Sequence, residues 1–129
     1  MTTIETVNEL LVQAAARLHD AMKQIATHPL PSRQSKLARL GAAQVEIFEA
    51  QYELWALKPD LLPPVLRGPS EDPQSALESA MNRAKRYLSE GAVEAAIGVF
   101  EIFILYETSP QHLKLARNER ARLINGQHA

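Results

Sequence analysis

The sequence predicts an all-α protein, a bundle of about five helices, on two observations. Apolar residues recur every three or four positions through most of the 129 residues, which is the repeat of one helical face. The eight prolines lie between those periodic stretches or at the first position of the next one, as is typical of residues that bound helices. We expect one helical domain over residues 1–129, made of a helical hairpin (1–58), a proline-rich connection (59–72) and shorter C-terminal helices (73–125).

The first predicted helix spans residues 3–27. Thr2 and Glu5 have the spacing of a capping box at its start. Pro29 and Pro31 end it, because proline cannot continue a helix. Its apolar residues alternate at spacings of three and four, as in a coiled-coil seam. They are Ile4, Val7, Leu11, Ala14, Leu18, Ala21 or Met22, and Ile25.

The second predicted helix begins at Ser32 or Ser35, ends at Lys58 and has two apolar faces. The first face suits packing on the first helix as an antiparallel hairpin. It consists of Leu40, Ala43, Ile47, Ala50, Leu54 and Leu57. Gln44 and Gln51 separate it from a second face, which needs another cover: the central helix, the following loop or a partner protein. That second face consists of Val45, Phe48, Tyr52 and Trp55.

The connection over residues 59–72 is rich in proline and leucine, and we expect it to run extended with its leucines packed. Asp72 followed by Pro73 predicts the start of a third helix, with Asp as the cap and Pro at the first position. That helix runs to Glu90, and Gly91 provides a tight turn into the next one.

The central helix is predicted over residues 92–106, where the only charged residues are Glu94 and Glu101. Because these are seven apart, they lie on almost the same line of a helix, and most of the remaining surface is apolar. Such a helix must be covered on several sides. The rival is a buried strand over 99–106, since that run is rich in β-branched and aromatic residues. A last helix is predicted from Pro110 to Asn125.

The third and fourth helices resemble a single tetratricopeptide-repeat hairpin over residues 73–110. The residues that carry the resemblance are Ala84, Tyr87, Gly91, Ala96 and Phe100. The sequence departs from the family pattern at the early tryptophan position, which is alanine here, and it contains no second copy of the motif. The resemblance implies binding of a helix or peptide, and it does not imply a reaction.

Composition argues against several functional classes. The net charge of −1 gives no overall field that would attract nucleic acid or an anionic membrane, and the absence of cysteine excludes thiol chemistry. The four histidines are scattered, and no glutamate is followed by a histidine three positions on, as a di-iron bundle requires. We expect no catalytic residues, cofactor, metal or membrane span. The N-terminus lacks the pattern of a secretory signal, so we expect a cytoplasmic protein.

The leading hypothesis is a non-enzymatic protein–protein interaction protein: an adaptor, a small chaperone or a self-associating subunit such as a homodimer. It would bind another protein or itself through apolar helical faces. The candidate interaction residues are Phe48, Tyr52, Trp55, Glu94 and Glu101.

Two other classes remain open. The first is a small DNA-binding regulator that would contact phosphates through Arg117, Arg120 and Arg122 of the basic last helix. The second is an enzyme or ligand carrier that would use a groove beside Glu94 and Glu101.

Overall fold

A computed structural model describes residues 3–126, and the regular structure of this range is helical throughout. The α-helices are α1 (Thr3–Thr27), α2 (Arg33–Leu57), α3 (Pro73–Ser89), α4 (Val93–Tyr106) and α5 (Pro110–Ile124). This confirms the all-α class and a bundle of about five helices. The strand alternative for 99–106 is excluded, because α4 occupies that stretch. The predicted cap at Thr2 and the tail beyond Gly126 lie outside the described residues.

The chain divides into two compact units, one ending at Leu54 and the other beginning at Trp55. The boundary falls near the end of α2, so the last three residues of this helix belong to the second unit. The single domain expected from the sequence stays a prediction.

The first unit is a helical hairpin in which α1 and α2 run in opposite directions. The Gln44 side-chain amide donates to the carbonyl of Ala15 at 3.3 Å. A β-carbon placed on Gly41 would lie 3.9 Å from the terminal carbon of Met22. Gly41 precedes Gln44 in α2, whereas its neighbour Met22 follows Ala15 in α1. The two helices therefore form an antiparallel pair. In the turn between the helices, Ser32 has a φ of 55°.

The seam of α1 differs from the predicted one at two positions. Asn8 and Ala15 are half-buried, whereas Val7 and Ala14 are exposed. The half-buried positions then alternate strictly by four and three along the helix, the repeat of a coiled-coil seam. Apart from Glu5, they are Ile4, Asn8, Leu11, Ala15, Leu18, Met22 and Ile25.

The seam of α2 also differs, because it contains two glutamines. Gln44 is half-buried and Gln51 is buried, whereas Ala43 and Ala50 are exposed. The prediction that the glutamines lie beside the seam is therefore wrong. The hydrogen bond of Gln44 to α1 supplies the physical reason, since a polar side chain is tolerated in a seam when it has a partner there.

The second unit is organised around α4, which packs against α3 and α5. Seven of its fourteen residues are buried, as the apolar pattern predicts; they are Ala95, Ala96, Gly98, Val99, Phe100, Ile102 and Phe103. The turn from α3 is closed by a bond from the Ala92 amide to the Tyr87 carbonyl at 2.8 Å. Gly91 adopts a φ of 78° there, a conformation that favours glycine.

Gly98 marks the closest approach between two helices of this unit. A β-carbon on Gly98 would lie 1.8 Å from the carbonyl oxygen of Ala56, at the end of α2. No side chain fits that gap, so the backbones of α2 and α4 meet there directly. Trp55 and Ala56 are almost completely buried beside this crossing.

The proline-rich connection is only partly packed. It contains two short 3₁₀ turns, Pro59–Leu61 and Pro64–Leu66, rather than an extended strand-like run. Leu62 is buried, but Val65 is 86% exposed. The Arg67 side chain closes the segment by donating to the Leu62 carbonyl at 2.9 Å. The segment is therefore not extended as expected, and the expected packing of its leucines holds for Leu62 but not for Leu66, which is 43% exposed.

Gly98→Ala should destabilise the protein by about 3 kcal/mol or more, because the added methyl forces the two backbones apart. Gly41→Ala is the matched control: its methyl has room, and removing a mid-helix glycine should stabilise by up to about 1 kcal/mol. Urea unfolding followed by circular dichroism measures both. An unchanged midpoint for Gly98→Ala would contradict the close approach.

Candidate interaction surface

The aromatic stripe of α2 passes from the surface into the core. Phe48 is 37% exposed, Tyr52 is half-buried and Trp55 is only 3% exposed. The rings of Phe48 and Tyr52 lie 6.3 Å apart and are tilted by 49°, a favourable arrangement for an aromatic pair. A partner can therefore reach Phe48 and the edge of Tyr52. Trp55 belongs to the core that supports the end of the stripe.

Other large apolar side chains of the hairpin are also exposed. Of the residues described in α1, none is fully buried, and Leu10 is 58% exposed. Helices in a monomeric domain normally direct such residues to a core. Exposed apolar surface of this kind is typical of a binding site. Helical geometry places the exposed members on two sides of the seam, with Val7 and Leu10 on one side and Val12, Val45 and Phe48 on the other.

Glu94 and Glu101 lie exposed on α4. Leu105, near the same line, is 63% exposed. Gly98, which helical geometry also places close to that line, is buried against Ala56. The two carboxylates therefore mark a narrow solvent-facing edge of the central helix.

The three arginines proposed to contact nucleic acid do not form one surface. Helical geometry directs Arg122 nearly opposite to Arg117. Arg122 pairs with Glu119 at 3.0 Å, and the Nε atom of Arg120 is buried. Their placement gives no favoured docking face for a duplex.

The structure contains a polar cluster centred on Glu107, which is not among the candidates predicted from the sequence. Glu107 is buried, and one carboxylate oxygen accepts from the amides of Thr108 and Ser109 at 2.8 and 3.1 Å. The other oxygen accepts from the Ser70 hydroxyl at 3.1 Å. Burial raises the pKa of Glu107, but these hydrogen bonds, together with nearby His112, hold the pKa below its ordinary value of 4.5. The carboxylate thus binds the chain ahead of α5 to the connection.

His112 extends this cluster to α3. Its Nδ1 lies 2.6 Å from the Ser109 hydroxyl, and its Nε2 lies 3.1 Å from the amide oxygen of Gln74. The amide oxygen only accepts, so Nε2 donates to Gln74. A hydroxyl bound to an imidazole also occurs in activated nucleophiles. Here Ser109 is the N-cap residue and His112 is the third helical residue, so the contact closes the first turn of α5.

The comparisons with known proteins add no relative. No protein-family model matches the chain, and neither a curated protein nor a solved structure is found to be similar to it. Within residues 3–126, no group of three or more potential ligands could hold a metal ion. In the same range, each helix is too short or too polar to cross a membrane. The surface described above is therefore interpreted from its own chemistry.

Glu107→Gln should destabilise the protein by about 1 kcal/mol at pH 7, since a charged acceptor of three hydrogen bonds is lost. Because its folded pKa is lowered, the stabilisation by Glu107 is present above its unfolded pKa and is lost as pH falls through the folded value. The difference between parent and variant should therefore shrink at pH 3. Thermal unfolding at both pH values measures it, with exposed Glu101→Gln as the control; equal stability at pH 7 would refute the role of Glu107.

Proposed function

We propose that this protein is a non-enzymatic interaction protein that binds another protein chain through the apolar faces of its α1–α2 hairpin. Adaptor, small chaperone and self-associating subunit are the roles that such a surface serves. The observation that carries the proposal is the exposure of large apolar side chains along both helices of the hairpin. We propose the cytoplasm as its location.

The hairpin has more apolar surface than the contact between its two helices covers. The seam occupies one line of α1, while Val7 and Leu10 lie outside it and remain exposed. Fully burying one such side chain contributes about 1.5–3 kcal/mol. A partner covering several of them would gain enough free energy to offset part of the cost of association.

Phe48 and Tyr52 are the proposed anchors on the other side of the seam from Val7 and Leu10. Aromatic side chains dominate binding energy at interfaces because they bury a large area with few rotatable bonds. Their mutual contact limits the motion of both rings before binding. The buried Trp55 would contribute by fixing the end of the helix that presents them.

The α3–α4 hairpin is a further element of the proposal. Ala84, Tyr87, Ala96 and Phe100 are buried, and Gly91 forms the turn, as expected of a tetratricopeptide-like hairpin. On the basis of that resemblance, we propose the exposed line of Glu94 and Glu101 as a second place for contact with a helix or peptide. The arrangement of Arg117, Arg120 and Arg122 supplies no observation that favours DNA binding over protein binding.

Substituting both Phe48 and Tyr52 by Ser should weaken capture of the partner at least tenfold, a loss of about 1.4 kcal/mol or more, and leave the helical content of the chain unchanged. Trp55→Ala should instead unfold the protein or destabilise it by about 3–5 kcal/mol, because Trp55 is buried. Pull-down from a lysate of the source cells measures capture, and circular dichroism checks folding.

Leu105→Ser is the control for that test, since it removes an exposed apolar side chain from α4 rather than from the hairpin. It should leave capture unaltered. If the Phe48 and Tyr52 variant still binds like the parent, the hairpin surface is not the binding site.

A further inference from the structure

The hairpin has charges of opposite sign at its two ends. Residues 17–39, which form the end with the turn, contain five cations and one carboxylate: Arg17, Asp20, Lys23, Arg33, Lys36 and Arg39. The sequence of the other end, residues 3–16 and 40–54, contains five carboxylates and neither lysine nor arginine. These are Glu5, Glu9, Glu46, Glu49 and Glu53. We call the first the turn end and the second the open end.

This polarity follows from the antiparallel pairing of the helices. The sequence of α1 goes from acidic to basic, and that of α2 goes from basic to acidic, so the pairing brings like charges together at each end. Each helix has 25 residues and is about 37 Å long, which separates the centres of the two ends by roughly 18 Å. That separation exceeds the Debye length of about 8 Å at physiological salt. Each end therefore acts as a separate charge towards an approaching molecule.

One side of the hairpin is lined by exposed apolar side chains that are mostly small. This side is lined by positions that come immediately before a seam residue. They are 7, 14 and 21 on α1 and 43 and 50 on α2. In an antiparallel pair these positions of the two helices lie on the same side of the seam. Small side chains let another helix approach closely. We call this side the alanine flank; it comprises Val7, Leu10, Ala14, Ala21, Ala43 and Ala50.

We propose that the partner of the alanine flank is a second copy of the chain, whose hairpin packs antiparallel on this flank to form a four-helix bundle. This inference rests on the proposed function and assigns a partner to one of the two apolar sides of the hairpin, the side opposite to Phe48 and Tyr52. A two-fold axis across the middle of the flank brings each basic turn end beside the acidic open end of the other copy. A parallel arrangement would place like charges together at both ends, so the polarity selects one orientation.

The same geometry identifies charge pairs between the copies. Arg39, Glu46 and Glu53 are spaced by seven residues and form one line along α2, next to the flank. With the two-fold axis at the middle of the hairpin, Arg39 of one copy comes level with Glu53 of the other. Symmetry makes this pair occur twice, so the interface contains two such pairs, both between the α2 helices.

Charge reversal at one end, or at both, tests the orientation. The first variant carries Arg17→Glu and Arg39→Glu, the second carries Glu46→Lys and Glu53→Lys, and the third carries all four changes. Glu5 and Glu49 are left intact because they take part in other interactions of the chain. Sedimentation equilibrium of the full chain over a concentration series gives the dimer Kd.

We expect the first and second variants to dimerise roughly 10- to 30-fold more weakly than the parent, because each makes the two Arg39–Glu53 pairs repulsive and reduces the charge contrast between the facing ends. The third variant should regain most of the lost affinity, since its polarity is inverted but still complementary. A parallel dimer would not be weakened by either single-end reversal, so unaltered Kd values overturn the proposal. Failure of the third variant to recover also overturns it.

Leu10→Gln tests the apolar half of the interface. It should raise the dimer Kd at least tenfold without changing the helical content, while Leu105→Gln, equally exposed on α4, should leave the Kd unchanged. Equal effects of the two changes would overturn the assignment of the alanine flank.

A parent chain that stays monomeric at millimolar concentration overturns the second-copy proposal. The proposed function is then judged separately by the pull-down. Capture that is lost in the Phe48 and Tyr52 variant would preserve an interaction role with a different protein, whereas no capture at all would remove both.

Discussion

The contact between Gly98 and the Ala56 carbonyl is the constraint on which the core of the second unit depends. It brings the backbone of α4 against the end of α2 with no side chain between them. A glycine within a helix costs about 1 kcal/mol relative to alanine, so packing at this crossing must compensate. Around it lie the buried Trp55, Val99 and Phe100. The most apolar helix of the chain is thus placed by its smallest residue.

The helices of this protein could be predicted from sequence because local features define their ends. Asp72 and Pro73 begin α3, Gly91 ends the turn after it, and Pro110 begins α5. The phase of the hairpin seam could not be predicted in the same way. Val7 is more apolar than Asn8, yet Asn8 is the less exposed of the two. A shift of one residue still gives an almost regular apolar repeat, and only the partner helix determines which repeat is covered.

The candidate surface was only partly predictable for a related reason. Phe48, Tyr52 and Trp55 form one line by spacing, but their exposure depends on which part of the line is covered. The contacts of Glu107 with Ser70 and of His112 with Gln74 join residues 37 and 38 positions apart, and no local pattern indicates such pairs. Local hydrogen bonds, such as the cap of α3 by Asp72, follow directly from the sequence.

The continuity of α2 across the boundary between the units bears on the order in which the chain folds. Its last turn, with Trp55 and Ala56, is fixed in the core of the second unit, whereas no residue described in α1 is fully buried. Starting a helix is the unfavourable step, and each residue added to an existing turn is far less costly. α2 therefore has a nucleus at its C-terminal end, from which helix can propagate back towards the turn. α1 has no buried turn among its described residues, so its stability depends on the seam that it shares with α2.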